Sequence, residues 1–456
     1  MRVDRSRLPD VGPDPAFRFP GIVRHTLHNG LQVRTVQHRT MPVISMVVQV
    51  DGGSAADPRG REGLTAMTAD MLDEGTGSLT AIEVSDGLAR IGAQYDADVG
   101  ADVTSLSLTT LRRFAERGAT WLADLLARPS LRANDFDRVR QMRLDRLRQL
   151  NDVPPAVAER AFLRLMYGEH PYGHLAIGNA LSLGAMTLED VTVFHAARFG
   201  PSRTTVTVVG PDTHDALVRL VGGAFADWSD AANIAEPAAP VGATQPEAPS
   251  RLTIVPREGA PQSELRIGHL SARRDSPDYP ALLVMNAIVG GAFASRVNLK
   301  LREEKGFTYG ARSAFDWRRG LAPFVVRASV HTEATAEAIS DCLAEFDGIR
   351  GVRPPSQREM VLAKASLTRG YPRGFETAQQ VAGAVARLAL HGLPDTYFEE
   401  FVPRVRAVGA GEVVRVAQRY IDPARAVALV VGDYDAIVDS LLPLGLGEAQ
   451  SLVADA

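Results

Sequence analysis

The sequence predicts an α+β protein built from two homologous domains, each a mostly antiparallel sheet flanked by helices. Three observations carry this expectation. First, one signature occurs twice: "RFGPSRTTVTVVG" at 198–210 and "RYIDPARAVALVVG" at 419–432. Pro201 and Pro423, Arg203 and Arg425, and Gly210 and Gly432 recur at one offset, the mark of an internal repeat. Second, 456 residues exceed what one ordinary hydrophobic core holds. Third, "DAANIAEPAAPVGATQPEAPS" at 230–250 is rich in Ala and Pro, has no hydrophobic period and reads as a linker. The expected units are an N-terminal domain over 20–229, that linker, and a C-terminal domain over 251–440.

Each element follows from local pattern. "RHTL", "HNG" and "LQVRTV" form a hairpin, with Asn29-Gly30 suited to the tight turn. "VISMVVQV" is a buried strand, and a helix follows within "EGLTAMTADMLDEGT" at 62–76. "SLSLTTLRRFAERGATWLADLL" reads as strand then amphipathic helix, and "VVRASVHTEATAEAISDCLAEF" repeats that plan in the second half. The helices "EDVTVFHAARF" and "GEVVRVAQRY" each lead through a proline turn into an apolar strand. A duplicated domain with a flexible joint suggests a clamp.

Composition narrows the function. Hydrophobic content of 45%, charged content of 23% and a net charge of -4 are ordinary for a soluble protein and offer no clustered cation for nucleic acid. The single cysteine, Cys342, excludes an internal disulfide and a Cys-type structural zinc site, and its apolar helix face reads as a buried thiol. No secretory signal and no run of about 18 apolar residues is visible. A cytoplasmic protein without a membrane span is expected, with the periplasm open if the start codon is misassigned.

The helix at 62–76 has the spacing of a metal site. In the inverted zinc-peptidase motif H-x-x-E-H, two histidines on one helical face bind zinc and the glutamate is the general base. Gly63, Leu64, Met71, Gly75 and Thr76 keep that frame, but the ligand and base positions hold Ala66, Ala69 and Asp70. The chain here resembles the pitrilysin/insulinase family of metallopeptidases. That family's third ligand is a glutamate on a later helix; in "FDRVRQMRLDRLRQLND" ungapped alignment puts Arg146 there, where it would pair with Asp70. This half is therefore expected to bind no metal and to hold no cofactor.

The other half keeps its signature. "SRVNLKLREEKGFTYGARSAF" at 295–315 reads as a helix stopped by Gly306 and then a strand. The preceding "DYPALLVMNAIVGGAFASR" also matches the family, whose Arg and Tyr seven residues apart correspond to Arg302 and Tyr309. A tyrosine hydroxyl can donate to an oxyanion, and a forked guanidinium can hold a substrate carbonyl. Read without the resemblance, the same pair is a solvated helix end and a strand aromatic.

The resemblance implies the non-zinc subunit of a heterodimeric bacterial peptidase. Its partner would be a homologous chain carrying H-x-x-E-H and the zinc. Peptide would lie along a strand edge of the partner, and Arg302 and Tyr309 would reach the partner's metal across an enclosed chamber. The alternative is an assembly subunit with no catalytic share. Other motifs offer less. His170 and His174 in "YGEHPYGH" are separated by Pro171 and Gly173 and read as hydrogen-bonding residues; His195 has no carboxylate neighbour in sequence; "GGAFASR" lacks phosphate-loop spacing; and no G-x-S-x-G elbow occurs.

Overall fold

The computed structural model describes residues 17–232, 234, 242, 244–246 and 250–452. Most of the expected linker at 230–250, and the first sixteen residues read for a signal, lie outside the described residues. The first sheet comprises β1 (Ile22–Thr26), β2 (Gln32–Gln37), β3 (Val43–Asp51), β4 (Gln94–Val99), β5 (Val103–Leu111) and β6 (Thr204–Gly210), in the order β1-β2-β6-β3-β5-β4. The second comprises β7 (Leu252–Pro256), β8 (Gln262–Leu270), β9 (Ala311–Phe315), β10 (Pro323–His331), β11 (Val427–Gly432) and β12 (Gln450–Ser451), in the order β12-β7-β11-β8-β10-β9. Pairing is antiparallel except where β2 meets β6 and where β7 meets β11 and β12. The two orders correspond from β2 to β4 and from β7 to β9, while the outermost strands differ, β1 opening its half antiparallel to β2 and β12 closing its half parallel to β7; both sheets are flanked by helices.

The repeated residues show why the repeat persists. β11 is apolar and buried throughout, β6 mixes buried valines with threonines, and both lie inside their sheets. Their terminal glycines face the neighbouring strand so closely that an added Cβ at Gly210 meets Ile44 at 2.2 Å, and one at Gly432 meets Ser263 at 2.8 Å. Only glycine lets the chain pass there without displacement.

The halves also exchange a helix. Val157, Ala158, Ala161 and Phe162 on the Pro154–Tyr167 helix pack against Leu270, Val325, Val427 and Leu429 of the second sheet. The Ala378–Leu390 helix of the second half packs against β3 and β6, and its Val381, Ala384 and Val385 share a core with Val36, Val47 and Val209. Polar contacts reinforce the junction: Tyr167 donates to the Leu321 carbonyl at 2.6 Å, the Arg319 amide donates to Asp102 at 2.9 Å, and the Arg319 side chain pairs with Asp51. The two halves therefore interlock through these helices and contacts.

One helical run, Tyr279–Glu304, is long and apolar enough to cross a membrane by composition, with mean hydropathy 1.4, although sequence reading found no such span. It is interrupted at residues 292–295, and 56% of its most apolar stretch is buried inside the protein, where Leu282, Met285 and Val289 join the core. Cys342 is free and fully buried, and burial raises its thiol pKa far above the usual value.

Candidate functional site

The Leu64–Asp70 helix is held by groups other than metal ligands. Asp57, its side chain wholly buried, accepts from the Gly63 amide at 2.6 Å, the Thr65 amide at 2.7 Å and the Thr65 hydroxyl at 2.6 Å. His174 meets the same carboxylate at 3.0 Å, and the Tyr172 amide donates to His170 at 3.1 Å, so both histidines of "YGEHPYGH" are structural. Past the helix, Gly75 has φ 148° and its Cβ position lies 2.6 Å from the Leu79 carbonyl. Thr76 donates to the carbonyls of Asp124 and Arg128. The retained frame is thus held by backbone clamps at Gly63, Gly75 and Thr76 and by core packing of Leu64 and Met71, none of which needs a metal.

The one polar residue on the former ligand face is engaged in a salt bridge. Ala66 and Ala69 are buried and offer no donor. Asp70 accepts from Arg143 at 2.6 Å, and Arg143, only 8% exposed, also donates to the Ala176 carbonyl at 2.7 Å. This corrects the expected Asp70–Arg146 pair. On the Ala133–Asn151 helix the inward face carries Phe136, Val139, Arg143 and Leu147, which leaves Arg146 exposed against Gln149 at 3.4 Å. Zinc needs several deprotonated donors converging on one point. One carboxylate already engaged by a guanidinium does not fit it, and among the described residues no group of three or more His, Cys, Asp or Glu is placed to hold a metal. Nearby, burial and the charges of Glu74 and Asp70 raise the Asp73 carboxyl to about 6.

His195 donates to or accepts nothing catalytic: its Nε2 lies 2.8 Å from the Leu126 carbonyl, its ring stacks on Phe199, and burial lowers its pKa.

Arg302 and Tyr309 line one cavity of about 620 Å³ at the β9 edge of the second sheet. Arg302 lies on a π-helical turn, Leu299–Glu304, that follows the short Arg296–Asn298 helix and ends before Gly306, at φ 67°. Its guanidinium sits 4.7 Å from the Phe293 ring centroid and 3.4 Å from Glu303. Tyr309 precedes β9 and does not belong to the strand, because the Thr308 hydroxyl bonds both the amide and carbonyl of Gly310 and closes a turn. The ring is 93% exposed, and its hydroxyl has no hydrogen bond among the described residues. The two side chains face a shared space without bonding each other.

Three further residues shape this cavity; all lie within motifs noted from sequence, Gly290 in "GGAFASR" and the other two in the stretch at 295–315, but none was singled out there as a site residue. Asn298 donates to the Phe293 carbonyl at 2.7 Å and accepts from the Ala311 amide at 3.0 Å, tying the glycine-rich turn to the start of β9. Gly290 allows that turn to approach β9, since a Cβ there meets the Ser313 hydroxyl at 2.5 Å. Arg312, exposed on β9, also lines the space. Its alternation with buried Ala311 and Ser313 was readable in "ARSAF"; the role of Asn298 had no sequence signal beyond its place one turn before Arg302.

Known proteins share the sequence pattern and the fold of this chain. A family sequence model described as insulinase (peptidase family M16) matches residues 32–179, and one described as the peptidase M16 inactive domain matches 185–367. A protein of Mycobacterium tuberculosis called an uncharacterized zinc protease is 27% identical over 417 residues, covering 90% of this chain and 93% of its own length. A non-peptidase homologue from Helicobacter pylori is 20% identical over 380 residues, covering 83% and 86%. Of solved structures, a peptidase M16 inactive domain from Pseudomonas fluorescens has a TM-score of 0.81 at 23% identity, covering 91% of this chain and 98% of that one. A protease from Helicobacter pylori has a TM-score of 0.85 at 21% identity, covering 91% and 100%. At those identities the solved structures speak to the fold.

Proposed function

Since the chain belongs to the insulinase (M16) family of peptidases, we propose that it is the metal-free subunit of a two-chain peptidase. A homologous chain with an intact H-x-x-E-H helix brings the zinc, and this chain brings Arg302 and Tyr309. The observation that carries the reading is a contrast within one molecule. On the zinc face of the first half Ala66 and Ala69 offer no donor and Asp70 is already paired with Arg143, whereas Tyr309 and Arg302 in the second half line a cavity without bonding each other.

The partner's zinc supplies a water nucleophile. Tyr309, free of internal partners, donates its O–H to the oxygen that gains negative charge as the peptide carbonyl is attacked. Arg302 holds a neighbouring substrate carbonyl through its forked N–H groups, its plane steadied against Phe293. The open position of Tyr309 suits a group that acts on another chain's substrate, because packing inside its own chain would hide the hydroxyl.

The test is a quenched-fluorescent peptide assay of this chain alone, of its zinc-motif homologue alone, and of the mixture, with zinc measured in each. Activity confined to the mixture, and lost in Tyr309→Phe without loss of assembly, is expected. Unchanged activity in Tyr309→Phe and Arg302→Ala favours the second reading, an assembly subunit, toward which the name of the non-peptidase relative points.

A further inference from the structure

Strands β8, β10 and β9 place three arginines directly opposite one another. In the ladder registers Arg266 pairs with Arg327, and Arg327 pairs with Arg312, so one row of cations runs across the sheet to its open edge. Like charges directly opposite each other repel, so each is expected to have a counter-charge. The inner two have theirs. Arg266, 3% exposed, meets Glu264 at 2.5 Å and Glu159 at 3.2 Å; Arg327 meets Glu159 at 3.0 Å and Asp316 at 2.6 Å. Arg312, the outermost, has no hydrogen bond or ion pair among the described residues.

The surroundings of Arg312 repeat the imbalance. Arg302, Arg312 and Arg327 all line the 620 Å³ cavity, and no described carboxylate lines it. The Pro154–Tyr167 helix delivers Glu159 to Arg327, but none of the apolar residues packed with that helix comes from β9, so the sheet face at Arg312 is left bare. Phe293, 68% exposed, and Tyr309 add apolar walls beside the uncompensated charge. The row thus has carboxylates at two of its three positions and a cavity at the third, where a guanidinium offers paired N–H donors to a planar anion.

We propose that Arg312 selects a carboxylate of the bound peptide, so that this subunit discriminates among peptides by the anionic group they present. The inference rests on the reading of the cavity as substrate-facing. The carboxylate belongs either to an Asp or Glu side chain or to the peptide's C-terminus; both present the same planar anion to the guanidinium.

Binding by the full chain, without any partner, tests this. Three fluorescein-labelled peptides of one extended sequence are titrated by anisotropy: one with a single Glu and an amidated C-terminus, one with Gln in its place and amidated, and the Gln peptide with a free C-terminus. At low ionic strength one of the two carboxylate peptides is expected to bind about tenfold tighter than the uncharged control, an advantage that shrinks as salt is added. Which peptide gains identifies the source. Arg312→Gln removes the advantage and Arg312→Lys keeps most of it. The proposal is overturned if no carboxylate peptide outbinds the control, or if the preference survives Arg312→Gln. It is equally overturned if Arg312→Gln weakens assembly with the zinc-motif chain while peptide selectivity stays, since the missing anion then belongs to the partner. Failure of the catalytic reading is separate: two-chain activity unmoved by Tyr309→Phe leaves the carboxylate preference of the lone chain standing.

Discussion

Glu159→Ala is the most informative change to the scaffold, because one carboxylate serves two arginines of the other half. Glu159 accepts from Arg266 at 3.2 Å and from Arg327 at 3.2 and 3.0 Å. Removing one partner of a buried pair costs about 3–5 kcal/mol, chiefly because the other charge is stranded. Two features reduce that figure here. The Glu159 side chain is 27% exposed, and Glu264 and Asp316 remain to compensate Arg266 and Arg327. A loss of about 2–3 kcal/mol at pH 7 is therefore expected. Urea unfolding followed by tryptophan fluorescence and by circular dichroism measures it, with coincidence of the two probes as the check on a single transition. The exposed pair Arg59–Glu169 is the control, and Glu169→Ala should cost no more than about 1 kcal/mol.

The same variant carries a pH signature. Burial opposes ionisation of Glu159, but hydrogen bonds and charge from Arg327 and Arg266 outweigh it and hold the carboxyl below its usual value of 4.5. A lowered native pKa stabilises the fold above the unfolded value, and that stability is lost as pH falls through the native one. The gap between wild type and Glu159→Ala should be full at pH 7 and should close below about pH 4. A gap under about 0.5 kcal/mol at pH 7, or one that widens in acid, refutes the reasoning.

Three other outcomes are expected. Tyr309→Phe lowers kcat of the two-chain enzyme about 100-fold with little change in assembly, as loss of one oxyanion donor does; stopped assays on the reconstituted pair measure it. Rebuilding the motif as Ala66→His, Ala69→Glu and Asp70→His should leave zinc content near zero until Arg143→Glu is added, and Arg146→Glu should not substitute, since Arg143 alone faces Asp70; metal analysis after dialysis decides between them. Asp73 keeps its proton to about 6 in the native state, whereas the unfolded chain releases it near 3.8. Its contribution is therefore lost as pH rises through that window, and Asp73→Asn should gain about 1–2 kcal/mol at pH 7, after allowance for solvent screening, and nothing at pH 3.5.

The fold was legible because its signals are local and repeated. The Pro-x-Arg turns before β6 and β11, the Asn29-Gly30 hairpin and the strand–helix pairs each depend on residues adjacent in sequence. Loss of the zinc face was equally plain, as alanine offers no donor in any fold. Side-chain direction on a long helix was not. Arg143 and Arg146 are three residues apart on a strongly charged helix, and only the packing of Phe136, Val139 and Leu147 decides which of them turns inward. Tyr309 was read into a strand because "FTYGARSAF" alternates, and the Thr308–Gly310 bonds that end the strand early leave no mark in such a pattern. The arginine row was invisible for a different reason: Arg266, Arg312 and Arg327 become neighbours only through strand register.

The exchanged helices have a consequence for synthesis. While a ribosome makes this chain, β3 and β6 emerge long before the Ala378–Leu390 helix that covers their face. Val36, Val47 and Val209 must stay uncovered through that interval, and the Pro154–Tyr167 helix must wait for a sheet not yet translated. A chain stopped before residue 378 lacks the helix that covers this face, and its apolar residues are left exposed in the manner that favours aggregation of incomplete domains.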